Sequence, residues 1–298
     1  MKFVVTGALG NIGSRLIREI PSCFPGSKIL LLDNLSTQRY FSLFGLPSAG
    51  QYEFIEADIR DYDFSSVLSP GDVVVHLAAQ SNPEESLKDE KEVEAINVLG
   101  TKRIAEACLQ RGCSLIFPST TSVTTAKNPY SASKLKAEKL LNAMSGSGLQ
   151  FVILRLGTIF GYSPGMRFHP AVNRFCWQAV TKQPLSVWRH ALDQSRPYLA
   201  LSDAIQAVHF FIEKKHFDQK TYHLATTQAT VRQVLEVISQ HVPDLSWQAV
   251  DAPIQDPESY LISTEDVTQL GFRFQSSLPE GIEEILGQFK SLIKDRRF

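Results

Sequence analysis

The sequence predicts an α/β protein built on a doubly wound parallel sheet, with a smaller, partly interleaved cap formed by its second half. Two observations predict this fold. The chain opens with an apolar strand, a glycine turn and a helical pattern, and strands and helices then alternate through the first half. After Arg155 the alternation loosens into an irregular stretch rich in glycine and proline. A length of 298 residues suits one large α/β unit or two domains that share a cleft.

Strands are predicted in the first half wherever a short apolar run is bounded by turn residues. These runs cover residues 3–5, 29–32, 52–55, 73–76, 115–117 and 151–154. Apolar residues at helical spacing predict helices over residues 14–20, 90–110 and 131–144. Because such alternation is typical of a parallel sheet, we expect residues 1–157 to form one domain.

The second half has a looser pattern, which predicts a smaller unit over residues 158–298. A short strand is predicted over residues 198–201. Helices are predicted over residues 172–181, 202–213, 231–240, 265–270 and 279–292. We expect this half to form a substrate-binding cap, with the segment near residues 196–213 returning to the first domain.

Composition excludes several classes of protein. A hydrophobic content of 43% and a charged content of 20% are ordinary for a globular chain. A net charge of −1 gives no electrostatic reason to expect nucleic acid or an anionic membrane as partner. No apolar run approaches the roughly eighteen residues of a membrane span, and the N-terminal run is too short for a signal peptide. The four scattered cysteines predict buried free thiols, no metal site and a cytoplasmic location.

The residues that open the chain carry a glycine motif at the end of a strand. Gly7, Gly10 and Gly13 lie between the apolar run 3–5 and the first helical pattern. A strand, a glycine turn and a helix in this order aim the free N–H groups of the helix at a pyrophosphate. Gly7 permits the tight turn, Gly10 lets phosphate approach the backbone, and Gly13 allows close packing of helix and strand. The motif predicts a Rossmann-type site for a dinucleotide.

An acidic residue follows the second predicted strand, where a ribose-binding carboxylate is expected. Asp33 lies twenty residues beyond Gly13. A carboxylate there accepts hydrogen bonds from the ribose 2′-hydroxyl and repels a 2′-phosphate. Arg39 is close in sequence, but it lies past the turn rather than directly after the strand. The sequence therefore predicts NAD rather than NADP as the cofactor.

A tyrosine and a lysine at helical spacing follow the fifth predicted strand. Tyr130 and Lys134 are four residues apart, so they share one face of a helix. A nearby ammonium favours the phenolate, so the tyrosine can exchange a proton near neutral pH. Hydroxyl residues 119–122 end the fifth strand. Because ligands bind at the carboxyl ends of parallel strands, these hydroxyls and the tyrosine are predicted to converge near the nicotinamide.

With these motifs the chain resembles the extended short-chain dehydrogenase/reductase family, which includes NAD-dependent nucleotide-sugar epimerases and dehydratases. The resemblance covers nearly all of the chain and is carried by segments such as Leu32-Asp-Asn-Leu-Ser36, His76-Leu-Ala-Ala-Gln80 and Phe117-Pro-Ser-Thr120. It implies the following NAD-binding residues: Gly7, Gly10, Asn11, Ile12, Gly13, Asp33, Asn34, Ser36, Asp58, Ile59, Leu77, Ala78, Ala79, Asn97, Ser119, Tyr130 and Lys134.

The same resemblance implies a catalytic set and a group of substrate contacts. The catalytic residues are Thr120, Tyr130 and Lys134, with the threonine hydroxyl on the sugar. Arg196, in Arg-Pro-Tyr-Leu-Ala-Leu-Ser-Asp, is similar to an arginine that grips the substrate diphosphate. The expected substrate-binding residues are Gln80, Ser81, Ser86, Thr120, Thr158, Arg167, Asn173 and Arg196.

Some positions depart from the pattern of the family. Thr158 stands where many relatives carry a substrate-binding asparagine, and Asn11 replaces a usual aromatic residue. Nine residues separate Thr120 from Tyr130, so a loop common in the family is nearly absent. Residues 252–259, where a second phosphate ligand often lies, contain no arginine. These departures leave the base and the sugar of the substrate open.

The function expected from the sequence is 4-epimerisation of a nucleoside-diphosphate sugar, with UDP-hexose favoured, through a transient 4-keto sugar. Tyr130 would remove the hydroxyl proton while hydride passes to NAD. One alternative is an NAD-dependent reductase or dehydrogenase of a keto-sugar or an aldehyde. Another is a non-catalytic NAD-sensing protein, which would have no use for a proton shuttle. A homodimer is expected, with no metal ion.

Overall fold

The computed structural model describes residues 1–251 and 259–293. Twelve strands lie in this part of the chain: β1 (Lys2–Thr6), β2 (Lys28–Asp33), β3 (Gln51–Glu56), β4 (Val73–His76), β5 (Ser114–Thr120), β6 (Gln150–Leu156), β7 (Thr158–Phe160), β8 (Leu185–Trp188), β9 (Ser195–Ala200), β10 (Asp218–Leu224), β11 (Thr227–Thr230) and β12 (Trp247–Val250). The α-helices are α1 (Asn11–Cys23), α2 (Pro83–Ser86), α3 (Glu90–Glu94), α4 (Thr101–Arg111), α5 (Pro129–Ala143), α6 (Ala171–Val180), α7 (Leu201–Glu213), α8 (Val231–His241), α9 (Glu265–Gln269) and α10 (Leu278–Ile293).

The main sheet has seven strands in the order β10-β6-β5-β4-β1-β2-β3. Strand β1 pairs in parallel with β2 on one side and β4 on the other, so that Val4 lies opposite both Leu30 and Val74. Helices cover both faces. The strand order reverses at β1 and β4, which makes the carboxyl ends of these strands the switch point where ligands bind in such sheets. The predicted doubly wound, Rossmann-type sheet is confirmed.

The central strands form because their sequences are continuous apolar runs. Strand β4 is buried along its whole length, as expected of a parallel strand with both faces covered. The side chains of this core come from both sheet and helices, with Phe117 and Phe151 fully buried. The edge strand β10, with the sequence DQKTYHL, was missed by the sequence analysis. Its polar residues give the half-exposed pattern of an edge, which an apolar run does not signal.

The chain divides into two compact units. Unit 1 consists of Met1–Arg155, Ser163–Gly165 and Ile205–Tyr222, and it contains most of the main sheet. Unit 2 consists of Leu156–Tyr162, Met166–Ala204 and His223–Phe298. Of the segment 196–213 that was expected to return to the first domain, residues 205–213 lie in unit 1, whereas residues 196–204 lie in unit 2.

Unit 2 has two small sheets and its own apolar core. One sheet has the order β11-β9-β7, and the other pairs β12 with β8. Helices α6, α8 and α10 pack together over buried side chains that include Phe175 and Ile282. The strands β7, β8, β11 and β12 were not predicted, because each has only three or four residues and lies among turns.

The long helix predicted over residues 90–110 is wrong as one continuous α-helix. The structure has α3, then a π-helix over Ala95–Gly100, then α4. The π-helix turns Asn97 into the interior, where it is 1% exposed. Apolar spacing does not reveal such an insertion, because the helical repeat resumes after it. The sequence signal that remains is an asparagine on the buried side of the predicted helix.

Within residues 1–251 and 259–293, no helix has the length and apolar character needed to cross a membrane. The same residues contain no group of three or more His, Cys, Asp or Glu side chains that could hold a metal ion.

Candidate active site

The turn between β1 and α1 requires glycine at two positions. Gly7 has a φ of +65°, and a Cβ atom there would lie 2.6 Å from the backbone nitrogen of Ala78. A Cβ atom on Gly13 would lie 2.5 Å from the carbonyl oxygen of Gly7. A side chain at either position would therefore displace the backbone. The tight turn and the close helix packing predicted from the sequence are both present.

The N-terminus of α1 suits an anionic ligand. Gly10 is the N-cap of this helix and supplies no side-chain cap for the first-turn N–H groups, to which Asn11 and Ile12 belong. The nearest atom to a Cβ on Gly10 would be the Gly7 carbonyl oxygen, at 3.2 Å. The helix end thus keeps its N–H groups for an acceptor such as a pyrophosphate. These residues fit the dinucleotide that the sequence predicts.

A short segment of unit 1, residues 163–165, packs against this turn. The Gly165 amide donates to Ser14 Oγ at 2.8 Å, and Ser163 Oγ donates to Asn11 Oδ1 at 3.0 Å. A Cβ atom on Gly165 would lie 2.3 Å from the Leu9 carbonyl oxygen. This contact was not predicted, because no sequence pattern joins residues so far apart in the chain.

Asp33 ends β2 beside the same turn. Its carboxylate accepts from the Leu9 amide at 3.0 Å and from the Leu35 amide at 3.0 Å. The carboxylate is therefore fixed against the turn that it is predicted to serve. Arg39 lies near enough for the negative charge of Asp33 to favour its cation, while burial lowers the pKa of Arg39.

Asp58 and Asn34, two of the predicted NAD-binding residues, belong to a network of ion pairs and hydrogen bonds. Arg60 donates from Nη2 to Asp58 Oδ2 at 2.8 Å and from Nη1 to Glu92 Oε2 at 2.8 Å. Asn34 donates to Asp58 Oδ2 at 3.1 Å, and its own Oδ1 accepts from the Ser36 amide at 3.2 Å. The hydrogen bonds from Arg60 hold the pKa of Asp58 well below its ordinary value. The next residue, Ile59, is buried against Gly100.

A chain of hydrogen bonds runs through His76 at the end of β4. The Thr101 hydroxyl donates to the Asn97 carbonyl at 2.7 Å, so it accepts from His76 Nε2, 3.0 Å away. Nδ1 of the same ring then accepts from the Thr6 hydroxyl at 2.7 Å. Burial, followed by the charge of Lys134, lowers the pKa of His76 to about 3. The imidazole is therefore neutral and joins β1 to the helical segment that contains Asn97.

Asn97 links the loop after β4 to α5. Its amide donates to the Gln80 carbonyl and to Ser133 Oγ, each at 2.9 Å, and its Oδ1 accepts from the Gln80 amide at 2.9 Å. Ser133 in turn donates to the Tyr130 carbonyl at 2.8 Å. The half-buried residues 77–79, predicted to lie along the cofactor, come immediately before this clamp. Asn97 thus fixes the loop and the first turn of α5 together.

The predicted catalytic residues lie on β5 and α5. Thr120 is the last residue of β5, and its hydroxyl is 2.9 Å from the Ser122 hydroxyl. Tyr130 is the second residue of α5, which begins with a capping box made by Asn128 and Ser131. The cap and the hydrogen bond from Ser133 hold the backbone that carries the tyrosine.

Lys134 lies on the buried face of α5 and is 5% exposed. Its Nζ is 3.9 Å from the centre of the Phe117 ring, a cation–π distance. Burial lowers the pKa of Lys134 to about 7, and the charge of Glu138 opposes that shift. The lysine therefore changes charge near neutral pH.

The predicted substrate residues of unit 1 have different environments. Gln80 and Ser81 are half-buried after β4. Ser86 is fully buried, and its hydroxyl donates to the Pro83 carbonyl at 2.6 Å, which does not favour a contact with a sugar. Ser119, predicted to contact the cofactor, is 4% exposed and donates to Glu138.

The predicted substrate residues of unit 2 also have different environments. Thr158 is exposed at the start of β7. Asn173 is fully buried, donates to the Arg167 carbonyl at 3.1 Å and accepts from the Gly161 amide at 3.3 Å. Arg196 donates to Gln194 Oε1 at 2.8 Å. The expected second phosphate position, residues 252–259, lies outside the described residues except for Ser259.

Glu138 was not predicted as a site residue, yet it accepts hydrogen bonds from Ser119, a predicted one, and from Arg155. The residue is 2% exposed and lies one helical turn after Lys134. A charged residue on the buried face of a predicted helix was the available signal.

Together, the glycine turn, the acid after β2 and the tyrosine–lysine helix define an NAD-binding enzyme of the short-chain dehydrogenase/reductase type. A profile of the NAD dependent epimerase/dehydratase family matches residues 3–225. The chain belongs to this family, as its motifs predicted, and NAD is confirmed as the cofactor.

Known relatives support the assignment. An uncharacterized UDP-glucose epimerase, YtcB of Bacillus subtilis, is 29% identical over 277 residues, which are 86% of this chain and 85% of that protein. A UDP-glucose 4-epimerase of Lacticaseibacillus casei is 34% identical over 58% of this chain and 57% of its own length. The crystal structure of the UDP-glucuronic acid 4-epimerase of Bacillus cereus, with UDP-glucuronic acid and NAD, is 25% identical. It matches 98% of this chain and 100% of that one, with a TM-score of 0.88.

Proposed function

We propose that the chain is a nucleoside-diphosphate-sugar 4-epimerase that acts through a transient 4-keto sugar. One observation carries this proposal. Thr120 ends β5, and Tyr130 and Lys134 lie on α5. Residues 121–129, between Thr120 and Tyr130, contain no carboxylate. The family includes dehydratases, and elimination of water needs a general acid and base at the reacting carbons. Hydroxyls near their ordinary pKa are poor substitutes, so the side chains present favour epimerisation.

Each residue has a proposed task in this reaction. Tyr130, as phenolate, takes the proton of the sugar 4-hydroxyl, and Thr120 donates a hydrogen bond to the same oxygen and orients it. Lys134 stabilises the phenolate and holds the nicotinamide ribose. NAD, when bound, accepts hydride from C4 and returns it. The site leaves the keto sugar room to rotate, so that hydride returns to the opposite face of C4. Tyr130 then gives the proton back to the sugar oxygen.

We propose UDP-hexoses and UDP-hexuronates as the substrates to test first. The relatives in Bacillus subtilis and Lacticaseibacillus casei are named as UDP-glucose epimerases, and the one in Bacillus cereus was crystallised with UDP-glucuronic acid. Arg167 and Arg196 are proposed to bind the diphosphate, because a guanidinium pairs well with phosphate oxygens. Gln80, Ser81 and Thr158 are proposed to meet the sugar.

A homodimer in the cytoplasm is also proposed. Leu87, at the end of α2, is 50% exposed, and Leu99, in the π-helix, is 56% exposed; both of these helices contact α5. Burying these apolar side chains in a second copy would stabilise the pair. Sedimentation at several concentrations tests it, and a monomer at all of them would refute it. The four cysteines are free, which fits a reducing compartment. Cys108, Cys113 and Cys176 are buried as predicted, whereas the prediction of a buried thiol is wrong for Cys23, which is exposed.

The function is tested by incubating the purified protein with UDP-, GDP- and dTDP-sugars and identifying the products by mass spectrometry and NMR. We expect isomers of unchanged mass, formed without added NAD, and NAD released when the protein is denatured. Tyr130→Phe serves as the control for the chemistry. A product lighter by water or carbon dioxide would rule out the epimerase. Activity that consumes added NAD stoichiometrically would instead identify a dehydrogenase.

A further inference from the structure

Glu138 is a carboxylate inside the protein that the proposed reaction does not use directly. It is 2% exposed on α5, between the apolar residues Ala137 and Leu141 on the buried face. Removing a charge from water is costly unless partners compensate for the lost solvation. The contacts of this residue therefore indicate what its position achieves.

Two neighbouring strands hold the carboxylate. Arg155, on β6, donates from Nε to Oε1 at 3.0 Å and from Nη2 to Oε2 at 2.6 Å. Ser119, on β5, donates from its hydroxyl to Oε1. The two-point contact with the guanidinium and the third bond from serine leave the carboxylate one orientation. Glu138 is thus tied to the residue immediately before Thr120.

The same carboxylate lies one helical turn from Lys134. Tyr130 and Glu138 lie one helical turn before and after the lysine on α5, His76 on β4 senses its charge, and Arg155 on β6 contacts Glu138. His76 is neutral because burial lowers its pKa to about 3, and Arg155 is paired with Glu138. Phe117 covers the ammonium on another side. Glu138 is the group that favours the ammonium form of Lys134 against the cost of its burial.

We propose that Glu138 is a positioning residue of the active site, whose carboxylate, fixed by Arg155 and Ser119, keeps the buried Lys134 in its ammonium form. This inference rests on the proposed epimerase function, in which the ammonium stabilises the Tyr130 phenolate. Without the carboxylate, nothing opposes the effect of burial on the lysine, and its pKa falls below 7. The lysine then loses its proton at a lower pH, and the phenolate loses its counter-charge.

The proposal is tested by titrating Lys134 directly. Lysine side chains are labelled with ¹³C at Cε, and the signal missing from Lys134→Met identifies the residue. We expect Glu138→Gln to lower the titration midpoint by about one pH unit, the lower end of the effect that a nearby opposite charge has on a pKa. Glu94→Gln is the matched control. Glu94, on α3, pairs at the surface with Lys136 of α5, so its replacement should leave the Lys134 midpoint unchanged.

A second readout links the residue to catalysis. Since the ammonium is required, the alkaline limb of the kcat profile should move to lower pH in Glu138→Gln by the same interval as the midpoint. Glu138→Asp, which keeps the charge, should restore the midpoint. If Glu138→Gln does not fold, because Arg155 is left uncompensated, the double variant Glu138→Gln/Arg155→Gln removes both partners. It should show a smaller downward shift than Glu138→Gln, because the positive charge of Arg155 is removed as well.

The outcomes separate this proposal from the proposed function. An unchanged Lys134 midpoint in both glutamine variants would overturn the proposal and leave Glu138 and Arg155 as a structural pair. A shifted midpoint in a protein that epimerises no sugar would refute the function and uphold the effect of Glu138 on Lys134.

Discussion

Asp33 is the residue on which the choice between NAD and NADP is expected to depend. Two amide hydrogen bonds fix its carboxylate at the end of β2, facing the turn that receives the dinucleotide. A ribose 2′-hydroxyl can donate to this group, whereas a 2′-phosphate would meet a like charge. Arg39 is the nearby cation that could offset that repulsion.

We expect wild-type protein to bind NAD at least tenfold more tightly than NADP. Asp33→Ser should reduce this ratio of affinities, because it weakens the binding of NAD. A tenfold ratio corresponds to about 1.4 kcal/mol, which one charged hydrogen bond can supply. Calorimetric titration with both dinucleotides measures it. Arg39→Gln is the companion variant, because it removes the cation and leaves the acid. Equal affinities in the wild type would contradict the role assigned to Asp33.

Tyr130 is expected to carry the proton transfer. Tyr130→Phe removes the hydroxyl from a tyrosine whose backbone is held by the Asn128 cap and Ser133, so folding and NAD binding should persist. Loss of general acid–base catalysis lowers kcat about 10²–10⁴-fold. Initial rates and bound NAD are measured on the same preparation. A phenylalanine variant that works at the wild-type rate would remove Tyr130 from the mechanism.

The turn between β1 and α1 is an element supported from two sides. Leu77 and Ala78, which follow β4, approach Gly7, and Gly165 approaches Leu9 and Gly10. Gly165 is distant in sequence, yet its close contact is with backbone carbonyl oxygens that cannot move without the turn.

We therefore expect Gly165→Ala to weaken NAD binding about tenfold or more, since overpacking costs about 1–3 kcal/mol and the turn must shift to accept the methyl group. Fluorescence or calorimetric titration of NAD gives the affinity. Gly287→Ala is the control, because no atom lies within 4 Å of a Cβ at that exposed position in α10. Unchanged affinity in Gly165→Ala would show that the turn tolerates movement.

How far sequence predicts an element depends on what defines that element. Strands β1, β2, β4, β5 and β6 are apolar runs between turns, and the glycine spacing places α1, so these follow from local patterns. The edge strand β10 is polar and is defined by its pairing with β6. The side chain of Asn97, in the π-helix, is held by hydrogen bonds to Gln80 and Ser133. Such tertiary contacts leave no periodic signal in the chain.

The same reasoning applies to the candidate site. The turn, Asp33, Tyr130 and Lys134 were predicted because their spacing along one segment reflects the chemistry. Glu138 acquires its importance from Arg155 and Ser119 on other strands, and Gly165 from a turn near the N-terminus. Their partners are brought together only by folding.

At the scale of the whole molecule, His76 makes the free energy of unfolding depend on pH in the acid range. Its folded pKa is about 3, below the model-compound value of 6.5, because the ring is buried. Between these values the unfolded chain binds the proton and the folded one does not. Folding stability contributed by the neutral ring is therefore complete above pH 6.5 and is lost as the pH falls toward 3. The slope is at most one proton, or about 1.4 kcal/mol per pH unit.

We expect His76→Gln to show a shallower decline of unfolding free energy than the wild type between pH 6.5 and pH 4. Urea denaturation at several pH values measures both slopes, and the variant need not match the wild type in absolute stability. His190→Gln, the same substitution at an exposed position on the short helical turn after β8, is the matched control variant. Parallel declines in His76→Gln and the wild type would show that other groups set the acid limit.

Unit 1 is built from three separate stretches of the chain, and this affects how its sheet forms during synthesis on the ribosome. A ribosome releases β6 well before β10, since residues of unit 2 lie between them in the chain. At about 5–20 residues per second, the nascent sheet waits for several seconds with β6 as an unpaired edge. During that interval its free N–H and C=O groups can pair with another nascent chain. Chaperone occupancy on translating ribosomes should therefore peak before residue 218 emerges and fall once β10 closes the edge.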